Sequence, residues 1–331
     1  MCKEHTLTFM IAAEQNTFLA YLEKHNEANW AEVLEKLLPL IHPVDQSAAR
    51  IWFSFWPLKL SRALHRAEEP ERVVKQFLLD GKYRLNEQLD SSVEFLYGAR
   101  FWPEVKRAIV ALVERTTRPE GTPLEQQIRH VASQVSADQG VSESVVLGIA
   151  TVGFMALQQV GMEVFSEAAA KPAIRPKDSR GPEQVLKARC AGSRPGLLGV
   201  LHRVDRRFEV TFDEKRSDST FKVIRGQDLS MASAADLRDY KDRDPRRVAG
   251  PIPAQCRSGA CGYCWVGVLW GKDKISPMSP FERRRLCHFG YATKEIDGES
   301  YPHIRLSCQS KCYGDVVIVI PPWNGVLDGR E

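Results

Sequence analysis

The residues of this chain best suited to chemistry are cysteines. From 256 to 264 it reads C-R-S-G-A-C-G-Y-C, three thiols spaced C-x4-C-x2-C in a loop that also carries Gly259 and Gly262. A loop this short cannot hold three thiolates far apart, so they converge, and converging thiolates select a soft metal. Zinc is one candidate, although zinc sites are more often built from paired C-x2-C knuckles, and the sequence has no second knuckle. The other is a [2Fe–2S] cluster, for which C-x4-C-x2-C followed by a distant fourth cysteine is a known spacing. Its glycines and small residues let backbone N–H groups approach sulfur. The spacing favours iron and sulfide and leaves zinc open.

Wider context adds a resemblance. C-R-S-G-A-C-G-Y-C followed by a strand, R-L-S-C-Q-S-K at 305–311 and G-D-V-V-I-V-I-P-P after it closely resemble the plant-type ferredoxin family, over roughly residues 197–322. The resemblance implies a β-grasp domain, a [2Fe–2S] cluster and ligands Cys256, Cys261 and Cys264 from the loop. It makes Cys308 the fourth ligand, because Cys308 occupies the family's R-L-x-C-Q position at the end of a strand. Ser258, Gly259, Ala260 and Gly262 would supply the backbone around the cluster. Two stretches exceed a minimal member: 43 residues separate Cys264 from Cys308, and D-L-S-M-A-S-A-A-D-L-R-D-Y-K-D-R-D-P-R-R-V-A-G-P-I-P-A-Q before the loop is extended, its D-L-R-D-Y-K-D-R-D-P-R-R run read as an exposed element near the cluster. Simple plant ferredoxins are acidic, and this part is basic.

The remaining cysteines have plainer expectations. Cys287, in R-R-R-L-C-H-F-G-Y, reads as a small buried apolar side chain. Cys312 is the rival for the fourth ligand, but the Y-G-D after it reads as a turn leading outward. Cys2 and Cys190 have no evident partner. Five histidines, His5, His25, His42, His65 and His130, show no metal-ligand spacing. The chain has no phosphate-binding loop, no G-x-G-x-x-G and no G-x-S-x-G, and no nucleophile with a base nearby, so a catalytic site of its own is not expected.

The elements that must position the cysteines fall into an α+β chain of two domains. Residues 1–170 read as all-helical, with seven or eight helices. N-W-A-E makes Asn29 a cap with Glu32 reaching back. T-P-L-E makes Thr122 a cap with Pro123 and Glu125 behind it. A third helix starts at Pro70 and ends before Gly81. I-W-F-S-F-W-P-L-K-L at 51–60 reads as an interior helix kinked at Pro57. Val145 to Leu157 is the longest apolar run, short of the roughly 20 residues of a bilayer crossing, and reads as a buried central helix. Residues 171–195, with four prolines, read as a linker in which a short helix at P-E-Q-V-L-K-A docks. Residues 196–331 turn to strands at 208–212, 220–224, 265–270 and 316–320, with one helix opening at Ser279, Pro280 and Glu282.

With 43% hydrophobic and 27% charged residues the 331-residue chain reads as globular, and its N-terminus has no signal-peptide pattern, so the expected location is cytoplasmic. Eight cysteines, six of them between Cys256 and Cys312, are too clustered for a disulfide framework. Residues 1–175 carry 19 Lys+Arg against 22 Asp+Glu, about −3, and residues 176–331 carry 27 against 20, about +7. Arg206–Arg207, Arg246–Arg247 and Arg283 to Arg285 lack the aromatic interleaving suited to bases, so nucleic acid is not the expected partner. An acidic redox protein is, docking on the basic part. The helical part is expected to dock or to form a homo-oligomer, and peripheral membrane contact through 51–60 is left open. The expected function is one-electron transfer. The alternative is an interaction protein whose cluster state controls binding to a partner enzyme.

Overall fold

A computed structural model describes residues 17–76, 85–116, 118–168, 180–191, 207–242, 247–291 and 302–321. The chain divides into two compact units, residues 1–62 with 85–179, and residues 63–84 with 180–331. Among the described residues up to 168 there are nine α-helices and no strand: α1 (17–23), α2 (Glu27–Leu37), α3 (Pro43–Phe55), α4 (Leu58–Arg66), α5 (Pro70–Gln76), α6 (Leu85–Ser92), α7 (Trp102–Arg115), α8 (Leu124–Gln139) and α9 (Glu143–Glu167).

The first unit is organised around α9, against which α3, α6, α7 and α8 pack. Its run from Val145 to Leu157 is buried throughout, because a helix apolar on every side has no face to offer water. It is the one helix among the described residues long and apolar enough to cross a membrane, and 83% of its apolar window is buried inside the protein. The 51–60 segment is interior, as expected, but is two helices rather than one kinked helix. Proline cannot donate to the helical ladder, so α3 ends at Phe55 and α4 begins at Leu58, on either side of Pro57. Trp52 and Trp56 stack at 5.2 Å within this core. Asp45 is fully buried near the start of α3, where its carboxylate accepts from the amides of Tyr97 (2.6 Å) and Gly98 (2.7 Å).

Two expected caps are corrected. Helix α2 is capped by Asn26, not Asn29: Asn26 Oδ1 accepts from Asn29 N (3.0 Å) and Asn29 Oδ1 from Asn26 N (3.1 Å). An asparagine three residues on closes the box as well as Glu would, and Glu32 then lies inside the helix. At α8 the cap position is Pro123 itself, and no side chain caps the helix, so the Thr122 box is not formed.

The second unit is a mixed five-stranded sheet of β1 (Arg207–Thr211), β2 (Thr220–Ile224), β3 (Trp265–Trp270), β4 (Ile304–Leu306) and β5 (Val316–Val319), in the order β2-β1-β5-β3-β4. Neighbours are antiparallel except β1 and β5. The strands expected at 208–212, 220–224, 265–270 and 316–320 are present within a residue at each end, and β4, at three residues, is the strand that the resemblance implies before Cys308. Phe208, Val210, Phe221, Val223, Val266, Val268 and Ile318 form the core, closed by Leu229 of α11 (Leu229–Ala234) and by Cys312. The short helix in the linker is α10 (Pro182–Ala191), tied to this unit by the Arg189–Glu214 ion pair at 2.7 Å.

Among the described residues strand β2 is an edge of the sheet. Ser219 O faces β1, accepting from Phe212 N (2.9 Å), so the carbonyls at 218 and 220 face outward. Arg238 covers both, donating to Asp218 O (3.0 Å) and Thr220 O. Asp236 holds the guanidinium, and Tyr240 OH steadies Asp236 at 2.7 Å. At the other end Ile224 N donates to Gln227 Oε1 (3.0 Å). The D-L-R-D-Y run is thus an exposed flap on the sheet, with Leu237 and Arg238 out and Tyr240 in.

Candidate metal centre

Sheet register brings the distant cysteines together. Trp265 pairs with Leu306 in the antiparallel β3/β4 ladder, and Ser307 N donates to Cys264 O (2.9 Å). Cys264 immediately precedes β3 and Cys308 shortly follows β4, so both emerge at the same end, Sγ to Sγ 3.3 Å. Both are buried.

The loop supplies the other two thiols. Cys256 is exposed and Cys261 half-buried. Ser258 N (3.4 Å) and Cys261 N (3.3 Å) both donate to Cys256 Sγ. The loop adopts this path because Gly259 (φ 79°) and Gly262 (φ 73°) occupy the left-handed region that side chains avoid. A Cβ at Gly259 would stand 2.9 Å from the Phe281 ring, and one at Gly262 2.9 Å from that of Phe289. Arg257, φ 53°, is the one non-glycine residue at positive φ among the described residues.

Helix α12 (Pro280–His288), which lies in the long stretch between Cys264 and Cys308, bridges the two halves. On the loop side, Arg285 donates to Gly259 O (3.1 Å) and to Ala260 O, and lies 4.9 Å over the Phe289 ring. On the β4 side, Glu282 accepts from Arg305 Nε (3.0 Å), Arg305 Nη2 (2.8 Å) and Leu306 N (2.8 Å). This ion pair is essentially unexposed, 0% and 1% at the two side chains. Ser279 caps the helix as expected, accepting from Glu282 N (3.0 Å). The Glu282 side chain is committed inward to Arg305, where the sequence pattern assigned it to the cap.

The thiols differ in proton affinity. At Cys256 burial opposes ionisation, but the donors from Ser258 and Cys261 outweigh it and bring the thiol down to about 6. Burial pushes Cys261 up to about 12. Within the buried pair Cys264 keeps the proton it donates to Cys308, which raises Cys264 and lowers Cys308. Gln309 Nε2 lies 3.7 Å from Cys308 Sγ, and the Gly259 amide also favours the Cys308 thiolate. The Ser307 hydroxyl is buried without a partner at normal hydrogen-bond geometry, yet close enough to Cys264 to favour its ionised form.

Among the described residues, no three His, Cys, Asp or Glu side chains are grouped around one point as ligands of a single ion. Cys264 Sγ and Cys308 Sγ meet at 3.3 Å, and Cys256 Sγ is met by the Cys261 amide. Four thiolates are the donor set of a [2Fe–2S] cluster, and the N–H groups aimed at sulfur and the orphaned Ser307 hydroxyl fit that group. Cys256, Cys261, Cys264 and Cys308 are the residues that would hold it.

The other expectations sort as follows. Cys312 is buried in the sheet core and donates to Gly314 O (3.0 Å). Cys287 is half-buried on α12, Cys190 is exposed on α10, and Cys2 lies outside the described residues. His25 accompanies Tyr21 O (3.1 Å) and His42 caps α3. Arg206 and Arg246 also lie outside the described residues. Arg207 opposes Ile224 in the sheet and Arg247 lies over the Phe212 ring, so of these arginines it is Arg285 of α12 that is shown against the loop. Sequence reasoning missed the Glu282–Arg305 pair and the Phe281 and Phe289 contacts with the glycines. Comparison of the chain with protein-family models, with curated proteins and with solved structures finds no match in any of the three.

Proposed function

We propose that the second unit is a plant-type ferredoxin domain of the β-grasp fold whose [2Fe–2S] cluster carries single electrons to or from a redox partner protein. The observation that carries this reading is the meeting of Cys264 and Cys308 at 3.3 Å beside a loop whose amides point at sulfur. The β-grasp assignment is supported by the strand order β2-β1-β5-β3-β4, with β1 and β5 parallel at the centre and a helix following the first hairpin.

When bound, the cluster takes up and returns one electron at a time; the chain sets its burial, hydrogen bonding and access. Cys264 and Cys308 are walled in by the sheet and by α12. Cys256 lies at the exposed side, so the shortest route to a partner runs through the loop tip. Donors at Ser258, Cys261 and Gln309 stabilise thiolate charge. The helical unit serves docking or self-association.

Anaerobically purified protein is expected to hold two irons and two acid-labile sulfides per chain, to absorb in the visible, and to give a paramagnetic signal on one-electron reduction. Serine at 256, 261, 264 or 308 is expected to lose the iron, and serine at 312 to keep it. Zinc in place of iron, or full iron in Cys308→Ser, refutes the assignment.

One observation favours the second reading, of a redox-responsive interaction protein. Helix α12 touches both halves of the centre and is partly exposed, so a change at the cysteines reaches the surface through it. Hydrogen exchange along α12 that differs between oxidised and reduced protein supports this reading, and identical exchange removes it.

A further inference from the structure

We propose that the outer face of α12 and the tip of the cysteine loop, formed by Phe281, Arg284, Met231 and Arg257, are the docking surface for a protein partner that presents carboxylates around a small apolar patch. The proposal rests on the electron-carrier reading and names the partner's chemistry at that same site.

Helical spacing defines the face. Residues 282, 286 and 289 turn inward: Glu282 to Arg305, Leu286 and Phe289 into the core. Residues 281, 284, 285 and 288 therefore share the opposite side. Two of these four are fixed against the cysteine loop, Phe281 on Gly259 and Arg285 on the Gly259 and Ala260 carbonyls, and Arg284 is exposed on the same side of the helix.

The composition of the border is unlike an idle surface. Of the large hydrophobic side chains that the described residues expose, two lie against residues of this loop: Phe281, 42% exposed, beside Gly259, and Met231, 47% exposed, whose Sδ lies 4.0 Å from Arg257 Nη1. Neither Arg257 nor Arg284 has a carboxylate partner among the described residues. Arg257, next in the chain to exposed Cys256, is held in a left-handed conformation that costs free energy, and its guanidinium lies against Met231. Apolar side chains ringed by unneutralised arginine, at the point where the cysteines reach solvent, fit a partner surface of opposite charge. Such a surface gains affinity from the apolar contact and association rate from the charge. The excess of 27 Lys+Arg over 20 Asp+Glu in residues 176–331 extends the attraction beyond the border.

The test uses the full chain with ferric cytochrome b5, an acidic haem protein, as probe. Binding is followed through the haem absorption and electron transfer from reduced protein by stopped flow, with hexaamminecobalt(III) as a small cationic oxidant for comparison. At low ionic strength, Arg284→Glu is expected to slow the reaction with cytochrome b5 by about tenfold and Arg257→Glu/Arg284→Glu by more, while the reaction with hexaamminecobalt(III) holds or quickens. Met231→Asp is expected to weaken binding as well. Arg284 makes no contact that the fold needs, so Arg284→Glu remains informative if the double variant loses iron. Equal rates for wild type and Arg284→Glu overturn the docking surface, as does binding to phosphatidylserine vesicles that these substitutions abolish while cytochrome b5 is unaffected. Protein without iron that still binds cytochrome b5 through these residues refutes the electron-carrier reading and leaves the surface standing.

Discussion

Removing the Glu282 carboxylate severs the joint between α12 and β4. In Glu282→Ala three hydrogen bonds to one carboxylate are lost, from Arg305 Nε, Arg305 Nη2 and Leu306 N. Arg305 keeps only its bond to Ser276 O (2.7 Å) and becomes a buried, uncompensated charge, and the Leu306 amide is orphaned. Breaking a buried pair in this way costs about 3–5 kcal/mol, and unfolding free energies of whole domains are about 5–15 kcal/mol. Since about 1.4 kcal/mol is a factor of ten, even the lower figure raises opening of this region more than a hundredfold. The clearest assay is hydrogen exchange read by mass spectrometry on peptides spanning 302–312 in the full chain, with peptides of α9 as the internal reference. Glu282→Ala is expected to accelerate exchange at 304–307 by about two orders of magnitude and to leave α9 unchanged. Glu282→Leu/Arg305→Met removes both charges together and is expected to recover more than half of the loss, because the desolvation penalty disappears with the charge. Exchange in Glu282→Ala within about threefold of wild type would refute the reasoning.

Three further outcomes are expected. Gly262→Ala forces a left-handed conformation, at about 1–2 kcal/mol, and drives a methyl against the buried Phe289 ring, adding about 1–3 kcal/mol. Thermal unfolding and iron retention under chelator challenge should both drop, and an unchanged midpoint counts against the cradle. Ser307→Ala should have opposite signs in two assays: it removes an orphaned buried hydroxyl and so stabilises metal-free protein, but it withdraws a donor beside Cys264 and so lowers the reduction potential of loaded protein. The same sign in both would reject that role. Lys106, buried in α7 with its ammonium on Ala168 O, has its proton affinity lowered by burial and partly restored by Asp90. The unfolded chain therefore binds more protons just below the ordinary lysine value of 10.5, and wild-type stability should rise with pH across that window relative to Lys106→Met. Parallel pH profiles would show that the ammonium is solvated.

The sequence was legible wherever one local rule governed a segment. Alternating β-branched residues placed β1, β2, β3 and β5, and Ser279-Pro280 placed the start of α12. The four cysteines were nameable because three share a loop of nine residues and the fourth sits in a specific local string. Rules failed where a side chain had two uses. Glu282 satisfies the capping pattern, yet a buried guanidinium outbids a helix amide for its carboxylate, and nothing near Glu282 in the chain announces Arg305. Asn29 fits a cap pattern with Glu32, yet Asn26 stands where the chain enters the helix, and only the backbone path decides between two asparagines three residues apart. Strand β4 was legible only through the resemblance, because three residues are too few to show a period and its existence depends on β3 being there to pair with. The arginine runs were legible as charge but not as geometry, since only folding decides which of them reaches the loop.

The treatment of the β2 border has a consequence for how this protein behaves in a crowd. An open strand edge is a template on which a strand of another molecule can crystallise, and the risk grows with concentration. Here the Arg238 guanidinium takes the outward carbonyls at the start of the strand, Gln227 takes the amide at its end, and Lys222, paired across to Glu209, stands charged at the middle. A visiting strand therefore finds no continuous row of backbone groups to read. The flap that carries Arg238 lies within the lengthened stretch before the cysteine loop, so what looks like surplus chain keeps the sheet solitary. Its loss would be felt first as fibrous association of otherwise folded molecules.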